Sequence, residues 1–177
     1  MTYRVQARIG VAAPASAVWS VISDLPGWSG WNPLYPEAEG RLSIGSLLIL
    51  KRVLATKGER QEVRVVDWVP SAQIVWSRSI TLFARSLAYL EIEALTERGC
   101  ILAVGEIYSG LIGDMIGRKE KPALHAGLMA LCEAAKARAE ETWDGTPDEP
   151  VPPPPPPPKP AARQTTLQMS IRGGGKR

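Results

Sequence analysis

Apolar and polar positions change rhythm along this chain, and each change marks an element. Tyr3, Val5, Ala7, Ile9 and Val11 alternate with Arg4, Gln6 and Arg8, which predicts a strand with one wet face. Pro14 then opens a short helix, Ala15 to Asp24, whose inner side is Val18, Trp19, Ile22 and Leu25, and Pro26-Gly27 stops it. After the turn-rich run WSGWNPLYP, six strands follow with short separators: about Ala38–Ile44, Leu47–Leu54, Gln61–Trp68, Gln73–Ile80, Ser86–Leu95 and Ile101–Tyr108. Gly45-Ser46, Lys57-Gly58, Pro70-Ser71 and Glu97-Arg98-Gly99 supply the turn chemistry. Short connections require antiparallel neighbours, because a parallel pair needs a long crossover.

The rhythm becomes helical from Arg118 to Thr142. Leu124, Leu128, Leu131, Cys132, Ala135 and Ala139 form one apolar stripe, Glu133, Lys136 and Glu140 face away, and Pro122 is placed in the first turn. The glycine-studded run GLIGDMIG before it reads as a mobile turn or short helix. An antiparallel sheet of this size curls and must cover its concave face, and the long helix is the natural cover. The expected fold is therefore α+β: a helix-grip arrangement of about seven strands around a C-terminal helix, with short helices after strand 1. Residues 1–142 form that domain. Residues 143–177 hold ten of the sixteen prolines, including the run Pro152–Pro158, and are expected to be a disordered, basic, proline-rich tail.

Composition narrows the function classes. Net charge is +3, yet five of the Lys/Arg and three of the Asp/Glu residues follow Thr142, leaving 16 against 15 in the domain. That balance gives no nucleic-acid footprint. Cys100 and Cys132 are too few for a disulfide framework and lack metal-ligand spacing, and no apolar run is long enough to span a membrane, so a cytoplasmic protein without stable membrane insertion is expected. His125 is the one histidine, so no Ser-His-Asp or Cys-His set can be built without it and a two-histidine metal site is impossible; at the edge of the helical apolar stripe it reads as a boundary residue and not as a base. Glycines 105, 110, 113 and 117 are not followed by the Lys-Ser/Thr of a phosphate loop. No catalytic set, metal or cofactor is implied.

The order of elements, the Trp28–Pro33 stretch, Ala38-Glu39-Gly40-Arg41-Leu42, the strand Ser71 to Trp76, and Glu106-Ile107-Tyr108-Ser109-Gly110 before a Leu- and Ala-rich helix together resemble the START/polyketide cyclase-like superfamily. The resemblance spans Thr2 to Thr142. It implies a hydrophobic cavity between sheet and long helix, in a superfamily that includes lipid and sterol carriers and aromatic polyketide cyclases.

The expected ligand is a hydrophobic small molecule such as a lipid, isoprenoid or polyketide, bound for sequestration or transfer. Candidate contacts are Trp28, Trp31, Tyr35, Trp76, Tyr89, Leu102, Val104, Glu106 and Tyr108, with Leu124, Leu128 and Leu131 on the helix. Trp28 and Tyr35 are lid candidates, whereas Trp31 and Asn32 more naturally anchor the turn. Glu106 faces inward if it shares the parity of Leu102, Val104 and Tyr108, and faces solvent if Ile101, Ala103 and Ile107 do; Arg78 is similarly open. The alternative is a cyclase or dehydratase in which Glu106, Arg78, Tyr89 or Tyr108 supplies acid–base help. The Pro152–Pro158 run is a candidate docking sequence for a protein partner.

Overall fold

A computed structural model describes residues 2–150. Seven antiparallel strands, β1 (Tyr3–Val11), β2 (Glu37–Gly40), β3 (Leu47–Leu54), β4 (Lys57–Val69), β5 (Gln73–Thr81), β6 (Ala84–Thr96) and β7 (Gly99–Gly110), form one sheet in the order β1-β7-β6-β5-β4-β3-β2. Helix α1 (Ala15–Ser23) and a 3₁₀ turn (Pro26–Gly30) follow β1, and the chain closes with helix α2 (Gly113–Thr142). The fold is the expected α+β helix grip. The strand beginning near Ala38 is shorter than expected, because the chain leaves the sheet at Gly40, whose φ is +126°.

The sheet curls for a local reason. Register shifts between Val65 and Asp67, Ser79 and Thr81, and Ala94 and Thr96 insert bulges that bend successive strands. On the concave face Val5, Ala7, Leu48, Leu50, Val63, Val65, Ile74, Trp76, Leu90, Leu102 and Val104 are all buried. Against them α2 lays Leu124, Leu128, Leu131, Cys132, Ala135 and Ala139, the stripe read from its spacing. Burial pushes the Cys100 thiol up to about 11 and that of Cys132 to about 12. Both therefore stay protonated and unreactive at neutral pH.

Two expectations need correction. The GLIGDMIG run is not a separate turn throughout: from Gly113 it is the start of α2, so Pro122 lies inside the helix and not in its first turn. Glycine serves packing there. A Cβ at Gly117 would stand 2.6 Å from the Tyr3 ring and 2.9 Å from the Tyr108 ring, so only a bare backbone lets the helix come this close to β1 and β7. Pro122 in turn offers no N–H to the helix ladder, which weakens the joint between the first turns of α2 and the rest.

The folded unit also runs past Thr142. Trp143 packs on the core, its indole N–H donates to the Thr146 carbonyl at 2.7 Å, and Arg98 sits 5.6 Å from its ring. Asp148 receives the Ser16 N–H and gives its own to the Glu97 carbonyl. The Pro152–Pro158 run and the basic residues beyond it lie outside the described residues.

Helix propensity alone predicts that Gly117→Ala stabilises the protein by about 1 kcal/mol. The close approach predicts the opposite sign, a loss of roughly 1–3 kcal/mol, read from the midpoint of urea unfolding.

Candidate functional site

The inner face is apolar except at one end, where β3, β5 and β7 each turn a polar side chain inward. Arg52 continues the inward parity of Leu48 and Leu50, Arg78 that of Ile74 and Trp76, and Glu106 and Tyr108 that of Leu102 and Val104. This settles the parity left open by the sequence: Glu106 is inside, 2 % exposed.

Arg52 is the hub. Its Nη2 donates to Glu106 Oε2 at 2.8 Å and to the Tyr108 hydroxyl at 3.0 Å, while Nη1 donates to Glu120 Oε2 at 3.0 Å. The Tyr108 hydroxyl donates to the same Glu120 oxygen at 2.8 Å, and Arg78 Nη2 reaches the other Glu106 oxygen at 3.5 Å. Arg52 and Glu106 side chains are each 3 % exposed, whereas Glu120 is 28 % exposed and forms the solvent-side end of the cluster. Arg52 Nε, Arg78 Nε and Gln61 Nε2 are buried without a hydrogen-bond partner. Unpaired buried donors are costly and are normally satisfied, so three of them on neighbouring strands form a local deficit of acceptors.

The electrostatics keep the charges fixed. Burial is the largest influence on Arg52 and disfavours its charge, but Glu106, Tyr35, Tyr108 and Glu120 together outweigh it and hold the guanidinium pKa above its ordinary value. Tyr108 is raised first by burial and then by Glu106, and Tyr35 likewise, although Arg52 and Arg78 pull Tyr35 back in part. Both hydroxyls are neutral donors at physiological pH.

An aromatic wall adjoins this cluster. Tyr35 and Trp76 meet edge-on at 5.6 Å, and Trp28 lies 6.0 Å from Tyr35 and 6.3 Å from both Trp76 and Trp31. Trp28 and Tyr35 were the lid candidates, yet both are core residues, 1 % and 3 % exposed, and the Trp28 indole donates to the Ile22 carbonyl at 3.1 Å. Trp31 is the half-exposed one. Asn32 Oδ1 accepts from the N–H groups of Leu34 and Tyr35, which closes the turn and sets Tyr35 inward.

Of the other candidates, Trp76, Leu102, Val104, Tyr108, Leu124, Leu128 and Leu131 come together inside. Tyr89 does not. It lies on the outer sheet face, its ring covering Gly105, where an added Cβ would stand within 2.8 Å of it. Sequence reasoning passed over Arg52 and Glu120. Both were signalled by spacing: Arg52 follows Leu48 and Leu50 at period two, and Glu120 falls between Ile116 and Leu124 at period four. The aromatic wall and the Arg52 cluster lie on the inner face, where the resemblance implied a cavity. The surface clefts, up to about 400 Å³, lie on the outer sheet face, at strand tips and beside α1, and Arg52, Glu106 and Tyr108 line none of them.

Residues 2–136 match the family model described as polyketide cyclase / dehydrase and lipid transport. The chain belongs to that family. No curated protein matches it in sequence. Solved structures with the same fold include the ZhuI aromatase/cyclase from Streptomyces sp. R1128, with TM-score 0.64 and 19 % identity over 80 % of this chain and 95 % of that one. A START superfamily protein from Mycobacterium smegmatis gives 0.63 and 20 % over 79 % and 99 %, and norcoclaurine synthase from Thalictrum flavum 0.62 and 14 % over 80 % and 88 %.

Glu106→Gln removes the buried carboxylate partner of Arg52, leaving only the more exposed Glu120 to balance its charge, and is expected to cost about 3–5 kcal/mol in urea unfolding, with the double variant Arg52→Met/Glu106→Leu recovering most of it. Tyr35 and Tyr108 have folded pKa values above the unfolded value near 10. Their contribution is therefore complete below about pH 10 and is lost as pH rises beyond it. Ultraviolet titration should show both phenols resisting ionisation until alkaline unfolding.

Proposed function

We propose that the protein binds a small, largely apolar molecule bearing acceptor oxygens between the sheet and α2. The binding unit is the helix-grip domain, with Trp143 and Asp148 still packed on it beyond Thr142. The observation that carries this reading is the set of unpartnered buried donors, Arg52 Nε, Arg78 Nε and Gln61 Nε2, beside an aromatic wall. A pocket that is mostly apolar with a few placed polar groups suits such a ligand, and an oxygen acceptor would satisfy donors that the protein leaves unmet. The family description, which joins cyclase/dehydrase and lipid transport, supports the same ligand class.

Entry requires movement, since side chains occupy the space. Trp28 is too deeply held to be the lid. The first turns of α2, hinged at Pro122 and touching the cluster through Glu120, are the segment whose displacement opens the grip. Sequestration or transfer needs no more than this.

A cyclase or dehydratase is the second reading, favoured by one observation. The Tyr108 hydroxyl accepts from Arg52 and donates to Glu120, and Glu120 reaches solvent, so Glu120 can exchange a proton with water and with a substrate bound beside Tyr108. Tyr89, on the outer face, takes no part.

Native mass spectrometry followed by organic extraction tests the binding reading. An oxygen-bearing apolar compound should leave with the wild-type protein, and Arg78→Met should reduce its loading by about tenfold while the unfolding midpoint changes little. Release of nothing, together with unquenched tryptophan fluorescence against a panel of fatty acids, isoprenoid quinones and aromatic polyketides, removes the reading.

A further inference from the structure

The turn between β5 and β6 is chemically out of place. A two-residue hairpin tip normally carries Gly, Asn or Asp, yet here it is Leu82-Phe83, with Leu82 90 % and Phe83 54 % exposed. Leu111, 85 % exposed, stands beside them in the β7–α2 connection and helps line the same cleft of about 300 Å³. Met115, 63 % exposed, follows one helical turn later. Single exposed apolar residues are ordinary; four at one corner are not. The corner is also built rigidly. Gly110 has φ +100°, and a Cβ there would stand 2.3 Å from the Phe83 carbonyl, so the two loops are pressed together, while the Phe83 N–H donates to Thr81 Oγ1.

Cations surround it. Arg85 lines the cleft, and Arg118, Lys119 and Lys121 are exposed on the first turns of α2. Of the carboxylates here, Asp114 is paired with Arg118 at 2.9 Å and Glu120 turns inward to Arg52. Lys57 and Glu59 of the β3–β4 tip, at the same end of the sheet, offset one another. Among the described residues Arg85, Lys119 and Lys121 have no ion-pair partner, and they leave this end positive.

We propose that this corner is a docking surface for anionic lipid bilayers: Leu82, Phe83, Leu111 and Met115 enter the headgroup–acyl boundary while Arg85, Lys119 and Lys121 meet lipid phosphates. Apolar insertion with cationic attraction is the combination that holds a protein reversibly on a membrane surface. A second copy of the chain fits worse, because a two-fold contact through this corner would set the same cations against one another. Docking here does not depend on the ligand reading, but it places the Glu120 end of the grip, on the same helix turns, close to the bilayer.

Flotation of the full chain with vesicles tests the proposal, using phosphatidylcholine alone and phosphatidylcholine with a third of phosphatidylglycerol, at physiological salt. The wild-type protein should float with the anionic vesicles and not with the neutral ones. Leu82→Ser/Phe83→Ser and, separately, Arg85→Gln/Lys119→Gln/Lys121→Gln should each weaken binding by about tenfold or more. These side chains are exposed, so circular dichroism and the unfolding midpoint should not change. Absence of wild-type binding overturns the proposal. So does undiminished binding by the Leu82/Phe83 variant, which would assign it to basic residues elsewhere in the chain, and so does a wild-type dimer in sedimentation that this variant converts to monomer. If extraction finds no ligand but flotation succeeds, the ligand reading falls and the docking surface stands.

Discussion

The fold depends on a charged pair placed where an apolar contact would have been simpler. Arg52 and Glu106 meet under α2, almost without water, and neither is tolerable alone in that position. Once the pair is buried, its neighbours follow. Tyr108 and Glu120 accept two further guanidinium hydrogens while Nε–H stays unpaired, Arg78 leans on the free Glu106 oxygen, and the strands that carry them are held in one relative register. A buried pair of this kind contributes little net stability compared with well-packed hydrocarbon. Its consequence is specificity of arrangement, since a slip of one residue on β3 or β7 would turn one partner to the outside.

Close contact between helix and sheet makes that burial attainable. The first turns of α2 reach β1 and β7 because Gly113 and Gly117 carry no side chain, and that approach brings Glu120 to Arg52. Farther along, small and branched residues take over: Leu124, Leu128, Leu131, Ala135 and Ala139 are buried in the core, and α2 also packs against α1. Pro122 separates the two halves. The half bearing the polar contacts is thus joined to the half bearing the apolar ones through a weakened helix turn.

Much of the architecture was legible in the amino-acid order. Period two marked every strand, the Leu124-to-Ala139 stripe marked the buried face of α2, and turn residues separated the elements. The errors have physical causes. Gly113 and Gly117 argued for a mobile turn or a short separate helix because isolated glycine weakens a helix, and packing against Tyr3 and Tyr108 instead makes them part of α2. Trp28 looked like a rim residue because it stands among turn-formers, but the short 3₁₀ turn folds it inward to its Ile22 partner. Tyr89 was grouped with the interior, although its parity with Leu87 and Glu91 puts it outside with them.

Local pattern therefore decided which residues form strands and helix, and which face of α2 is apolar, because those properties depend on neighbours two to four positions away. Tertiary structure alone decided that Arg52 belongs with Glu106, 54 residues distant, and that Glu120 closes the set from the helix. Alternation tells that a side chain leaves one face of a strand but not which face is covered. Only the curl of the sheet and the seating of α2 resolve that choice, and with it the identity of the site.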